Sequence, residues 1–330
     1  MILHPAIIAL LTASALTSLM VVYAAYYGSV ILRNWDLSSG SELQLGLERR
    51  TYLISTILGY VLVFQIASLF LYIYTADSLC TLFTGAMCAV GMLNVNAFGY
   101  PTLIFKLVNF LLAGTWLIIN YTDNQAYDYP LIKAKYRLLV VMAPLIVAET
   151  ALLYAYVLGL KPEIITSCCG SLFSRDSAGI AGDIIGLPTA PMIAAFYAGN
   201  ALTLLSGFYF YRTGKAGYLF SALSGITAVL TVASIFSFLS IYIYELPSHH
   251  CPFCLLQKEY HYIGYPLYAA LLFGAVSGTG VGALMPFRTI GSLKQVVPAL
   301  QKRLSLAALF CWLLLTGIAT YKILASNLVL

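Results

Sequence analysis

A chain of 330 residues that is 61% hydrophobic and only 9% charged, with a mean hydropathy of +0.89, is excluded from the class of water-soluble domains. Its formal charge of +5 is gathered in alternate loops between apolar runs, so it reports membrane topology and offers no case for nucleic acid.

A bilayer needs about 20 apolar residues per crossing helix. Such runs fall near 5–32, 51–75, 101–120, 138–160, 188–211, 218–243, 263–286 and 305–327. They predict an all-α membrane protein with eight transmembrane helices, forming a single domain over 1–330. The first run is long and has no Lys or Arg before it, so it reads as a retained helix and not as a cleavable signal peptide.

Arg33, Arg49 and Arg50 follow helix 1, and Lys133, Lys135 and Arg137 follow helix 3. Arg212 and Lys215 follow helix 5, and Arg288, Lys294, Lys302 and Arg303 follow helix 7. These twelve of the seventeen basic residues mark the cytoplasmic side by the positive-inside rule. The expectation is a multi-pass protein of a bacterial inner membrane, in contact with lipid, with both termini outside.

Between helices 1 and 2, the Ser-, Gly- and Glu-bearing stretch 34–50 reads as a solvated loop or short surface helix. Helix 2 leads to Cys80 and Cys88, then to Phe98-Gly99-Tyr100-Pro101 at the mouth of helix 3. Lys106 lies inside helix 3 and Glu149 midway along helix 4. Charges at that depth are costly unless paired or neutralised. Lys106 is read either as snorkelling to the interface or as orienting an anionic or quinone-like headgroup. Glu149 is read either as handling protons or binding a partner, or as a protonated interhelical bond.

The next outward loop carries vicinal Cys168 and Cys169 and closes with Ile185-Gly186-Leu187-Pro188. Helix 6 then rises to His249-His250-Cys251-Pro252-Phe253-Cys254, and Ile263-Gly264-Tyr265-Pro266 opens helix 7. Three times, therefore, an ascending helix presents a cysteine pair before an apolar-Gly-apolar-Pro corner. Gly is expected to supply an unusual backbone angle there and Pro to suit the helix's first turn. The predicted architecture is three repeated hairpins, each with a cysteine-bearing outer loop, flanked by helices 1 and 8. Gly274, Gly278, Gly280 and Gly282 predict close packing of helix 7. The stretch Arg288 to Arg303, with its Val-Val-Pro interruption, reads as an interfacial helix or loop. Cys311 reads as a small apolar residue in helix 8.

The Cys251/Cys254 pair is the stretch richest in chemistry. A Cys-x-x-Cys can cycle between dithiol and disulfide, and a helix beginning there would stabilise the first thiolate. Its ring is too short to stabilise much as a plain staple. Alternatively, Cys251 and Cys254 with His249, His250 and His261 suit Cu, Zn or Hg. A third reading is an integral subunit of a respiratory or transport complex, with structural disulfides in loops that dock a partner. Six of the seven cysteines fall on the predicted outer side, where disulfides persist. Phosphate loops, zinc-protease pairs and c-type haem motifs are not found in the sequence.

From Leu138 to about Gly278, the order of cysteine loop, Gly-x-Pro corner, inner turn and Cys-x-x-Cys resembles the vitamin K epoxide reductase family and, more loosely, the bacterial disulfide-bond oxidases. The resemblance implies a membrane thiol–disulfide oxidoreductase that passes electrons to a quinone and works with a thioredoxin-like partner. By it, Cys254 faces the quinone, and Cys251 exchanges with loop cysteines such as Cys168 and Cys169.

Overall fold

The computed structural model describes residues 4–36, 39, 41–161 and 187–328. Among them there is no strand, and eight helices are long and apolar enough to cross a membrane. This is the make-up of a multi-pass membrane protein. The long elements are α1 (Pro5–Asn34), α2 (Glu42–Leu79), α4 (Gly99–Asp123), α5 (Ile132–Leu158), α6 (Thr189–Thr213), α7 (Gly217–Ser234), α9 (Gly264–Leu284) and α10 (Val296–Ala325). Two short helices, α3 (Ala89–Leu93) and α8 (Ser240–Tyr244), lie in the connections.

Several helices begin earlier than their apolar runs. Helix α2 opens at Glu42 and takes in most of the expected 34–50 loop, because Glu, Gln, Leu and Arg are good helix formers even where they are polar. Likewise Val296-Val297-Pro298 is the first turn of α10 and not a break, since a proline there has no intrahelical N–H to lose.

The chain divides into two compact units. One lies within Met1–Thr75, Val95–Lys161 and Phe287–Val297, and the other within Ala76–Asn94, Pro162–Pro286 and Pro298–Leu330.

In the first unit, α1 buries Ile7, Leu10, Ser14, Thr17, Val21, Ala24, Gly28 and Ile31. Alternating steps of three and four residues keep one seam facing a neighbour. That neighbour is α5: Ser14 and Ser18 hydroxyls meet Thr150 at 2.7 and 2.6 Å. The core they share with α2 and α4 holds Leu58, Leu62, Trp116, Tyr136 and Met142, and the Trp116 indole donates to the Lys135 carbonyl at 3.1 Å.

In the second unit, α7 presents the small residues Ser224, Thr227, Thr231 and Ser234 on one buried face. The expected close packing of the glycine-rich helix is found: a Cβ on Gly278 would stand 2.0 Å from Ser224 Oγ, so α9 reaches α7 only without a side chain there. Trp312 of α10 donates to the same Ser224 hydroxyl at 2.9 Å.

Gly99 and Gly264 each open a helix with proline at its third position. The expected unusual angle is absent: the positive-φ glycines among the described residues are Gly85 and Gly214. Gly264 is needed for closeness instead, since a Cβ there would lie 2.9 Å from the Leu255 carbonyl carbon. The corner at 185–186 lies outside the described residues.

Candidate functional site: a buried cysteine cluster

The second unit gathers three sulfurs. Helix α7 runs into a π-helical turn over Ile235–Leu239 and then α8. A π-turn releases carbonyls from the regular ladder and often stands beside a functional site. One such carbonyl, that of Phe236, is met by His250 Nδ1 at 2.8 Å. Because a carbonyl can only accept, Nδ1 carries the proton in this contact.

Glu245, at φ 55°, then turns the chain out of α8, and the His249 amide donates to the Leu246 carbonyl at 3.2 Å. Cys251 and Cys254 follow. The phenol of Tyr244 donates to the Cys251 carbonyl and that of Tyr268 to the Pro252 carbonyl. The Cys-x-x-Cys backbone is thus pinned from α8 on one side and α9 on the other. No helix begins at Cys251, so the condition for stabilising its thiolate in that way is not met. Cys254, not Cys251, begins a single 3-10 turn, Cys254–Leu256, so no α-helix N-terminus faces the first thiol.

Cys88 comes from the connection after α2. Cys80 opens a 3-10 turn, Cys80–Leu82, and Cys88 immediately precedes α3. The two cysteine loops are tied by Gln257, whose Nε2 donates to the Met87 carbonyl at 2.8 Å and lies 3.5 Å from Asp77 Oδ1. This brings Cys88 Sγ to 3.8 Å from Cys251 Sγ. That is a non-bonded approach, since a disulfide measures about 2.05 Å.

The sulfurs of Cys88, Cys251 and Cys254 all lie within 4.8 Å of one another. All three residues are buried, Cys88 and Cys251 completely. Three thiolates about 2.3 Å from a tetrahedral ion stand about 3.8 Å apart, so the donor set also fits a soft cation. Cys80 and the imidazoles of His249, His250 and His261 do not belong to this group. Cys168 and Cys169 lie outside the described residues.

Aromatic residues surround the cluster. Tyr244 stands edge-on to His249 and Tyr260, with ring centroids 4.6 and 4.5 Å apart. Partial burial lowers the His249 pKa below the ordinary histidine value, against the opposing pull of Cys88. Burial, and after it the neighbouring Cys254, raises the Tyr260 phenol. Tyr244, Gln257 and Tyr268 were not anticipated from the sequence, where nothing but nearness to the Cys-x-x-Cys sets them apart from other helix-end residues.

Lys106 and Glu149 belong to the first unit, where they form one closed group. Lys106 Nζ lies 2.7 Å from Glu149 Oε1, with both side chains buried, and it donates to Ser68 Oγ at 3.0 Å. Gln65 Nε2 and Asn109 Nδ2 each donate to Glu149 Oε2 at 2.6 Å. The ammonium also lies 5.6 Å from the centre of the Tyr72 ring. Lys106 therefore points inward and does not snorkel.

No family model, curated protein or solved structure matches this chain.

Proposed function

We propose that this protein is a membrane thiol–disulfide oxidoreductase in which Cys88 and the Cys251/Cys254 pair exchange a disulfide. The observation that carries the reading is the 3.8 Å approach of Cys88 Sγ to Cys251 Sγ, between loops 163 residues apart in sequence. Thiol exchange needs an attacking sulfur, an attacked sulfur and a resolving thiol within reach of one another.

With Cys251–Cys254 oxidised, the Cys88 thiolate attacks Cys251 and releases Cys254 as a thiolate. The Cys80 thiolate then attacks Cys88 and releases Cys251. A Cys80–Cys88 disulfide is formed and the Cys251–Cys254 disulfide broken, so two electrons have moved. A membrane quinone accepts those electrons and two protons from the reduced pair. The Cys80–Cys88 disulfide in turn oxidises a dithiol on a thioredoxin-like partner. Support for the quinone and the partner comes from the resemblance to vitamin K epoxide reductases. Support for an outward-facing cysteine loop in a bacterial inner membrane comes from the distribution of Lys and Arg.

In C80S/C254S the Cys88–Cys251 mixed disulfide has neither of its resolving thiolates, and peptide mapping after mild oxidation should recover that bond. Quinone reduction should disappear in C251S and in C254S; quinone reduction that persists in both would refute the proposal.

A second reading is favoured by the clustering of the three sulfurs within 4.8 Å: a Cu(I) or Zn(II) site held by Cys88, Cys251 and Cys254. Metal at one equivalent in anaerobically purified protein, lost on substitution of any one of the three, would favour it over redox exchange.

A further inference from the structure

A cavity of about 460 Å³ opens in the first unit. It lies where α1 ends, α4 ends and α5 begins, and it is lined from there, from residues 48–55 of α2 and from the connection between α4 and α5. Its volume suits a small ligand or a lipid headgroup, and its place at the limits of three apolar helices is that of the interface of a bilayer. None of its residues belongs to the cysteine cluster, so a ligand bound here neither needs nor supports the redox reading.

The chemistry of the lining is one-sided. Nine of the ten lining residues carry an N–H or O–H donor. The exception is Glu48, and its carboxylate already accepts Gln44 Nε2 at 2.9 Å. Two donors are built in. The buried Lys135 ammonium holds Asp123 at 2.7 Å and Asn120 at 3.2 Å, which leaves its third hydrogen for another acceptor. Asp123 is in turn committed, since its other oxygen accepts the Leu131 amide at 2.8 Å.

Thr51 is only 5% exposed, and its buried hydroxyl makes no hydrogen bond of full geometry, with the Tyr136 phenol beside it. A buried hydroxyl in that state is destabilising unless something fills the space beside it. Arg49 adds a second positive charge to the lining, and Trp35 an apolar wall with an indole donor.

We propose that this cavity binds a phosphate-bearing ligand. The Lys135–Asp123 pair and the Arg49 and Glu48 charges balance, so it is the excess of hydrogen-bond donors, two of them cationic, that calls for a group with many acceptor oxygens. A phosphate group offers oxygens in several directions, which matches donors converging from separate helices better than a planar carboxylate does. The same chemistry is available from an anionic phospholipid headgroup or from a soluble phosphate ester.

The full-length protein, stripped of lipid in detergent, separates these sources. Native mass spectrometry and thermal shift are read with phosphatidylglycerol, and in parallel with glycerol 1-phosphate. Binding of the first alone identifies a lipid site; binding of the second, with or without the first, identifies a phosphate site open to soluble esters. Either supports the proposal. R49Q, at an exposed rim position, should weaken binding about tenfold or more. T51V, which removes a donor from the lining while keeping the shape of the side chain, should also weaken binding. No binding of either probe, or wild-type affinity in both variants, would overturn it.

Discussion

The molecule contains two buried reactive-looking centres built on opposite plans. In the first unit, Lys106, Glu149, Gln65, Asn109 and Ser68 all project from the interiors of regular helices. Both carboxylate oxygens are met by nitrogen donors at 2.6–2.7 Å. In the second unit, the three cysteines sit on loops and single turns, linked by contacts between sulfurs that bond weakly to anything. Charge inside an apolar bundle is tolerated only when locked in place. Thiols are cheap to bury and can change covalent state without leaving a charge stranded. The first centre is fixed by complementary charge and hydrogen bonds; the second is held by the loops around it, with no disulfide between its thiols.

Breaking the first centre should have the largest effect. E149L leaves the Lys106 ammonium facing Ser68 and a ring, and should destabilise the protein by about 3–5 kcal/mol. K106M should act similarly. The double variant K106M/E149L should recover most of the loss, because an apolar pair of similar volume needs no partner. Unfolding in detergent, followed by tryptophan fluorescence, gives the cycle. Additive single effects would mean that the two charges are not a unit.

The scaffold behind the cysteines can be tested next. G278V drives a side chain into Ser224, whose hydroxyl also receives Trp312. A cost of about 1–3 kcal/mol is expected from overpacking. G291A, at a position where a Cβ meets nothing within 4 Å, serves as the control and should be close to neutral. By contrast, C88S changes one atom in a centre without charge pairs. It should lower stability by no more than about 1 kcal/mol while abolishing disulfide exchange. Equal losses in C88S and E149L would erase the distinction between the two centres.

The sequence displayed these centres unequally. The eight helices were legible because repeated apolar runs of bilayer length do not occur in water-soluble chains, and the glycines of α9 announced close packing. Lys106 and Glu149 were each visible as costly. Their pairing was not, although Lys106 with Asn109, and Gln65 with Ser68, sit three apart and so share a helix face. That polar i, i+3 pattern on two apolar helices was the available signal. The cysteine cluster was half legible: Cys251 and Cys254 declare themselves by spacing, but nothing local connects them to Cys88. That contact depends on Gln257 reaching the Met87 carbonyl, and a single glutamine in a polar loop has no pattern to betray it. The expected exchange partners, Cys168 and Cys169, lie outside the described residues, so Cys88 adds to that expectation without displacing it.

The smallest effect expected is a pH dependence at the edge of the second centre. His249 is held below the ordinary histidine pKa, first by burial. The folded protein therefore takes up a proton there less readily than the unfolded chain, whose histidine titrates near 6.5. The full contribution of neutral His249 is present above about pH 6.5 and is lost as pH falls from there through the lower folded-state value. H249Q, which cannot titrate, should flatten this part of the stability profile. Melting temperatures of both proteins measured between pH 5 and 8 decide it. If the wild-type curve fell toward high pH instead, the imidazole would be stabilised as a cation, and the Cys88 side of its surroundings would outweigh its burial.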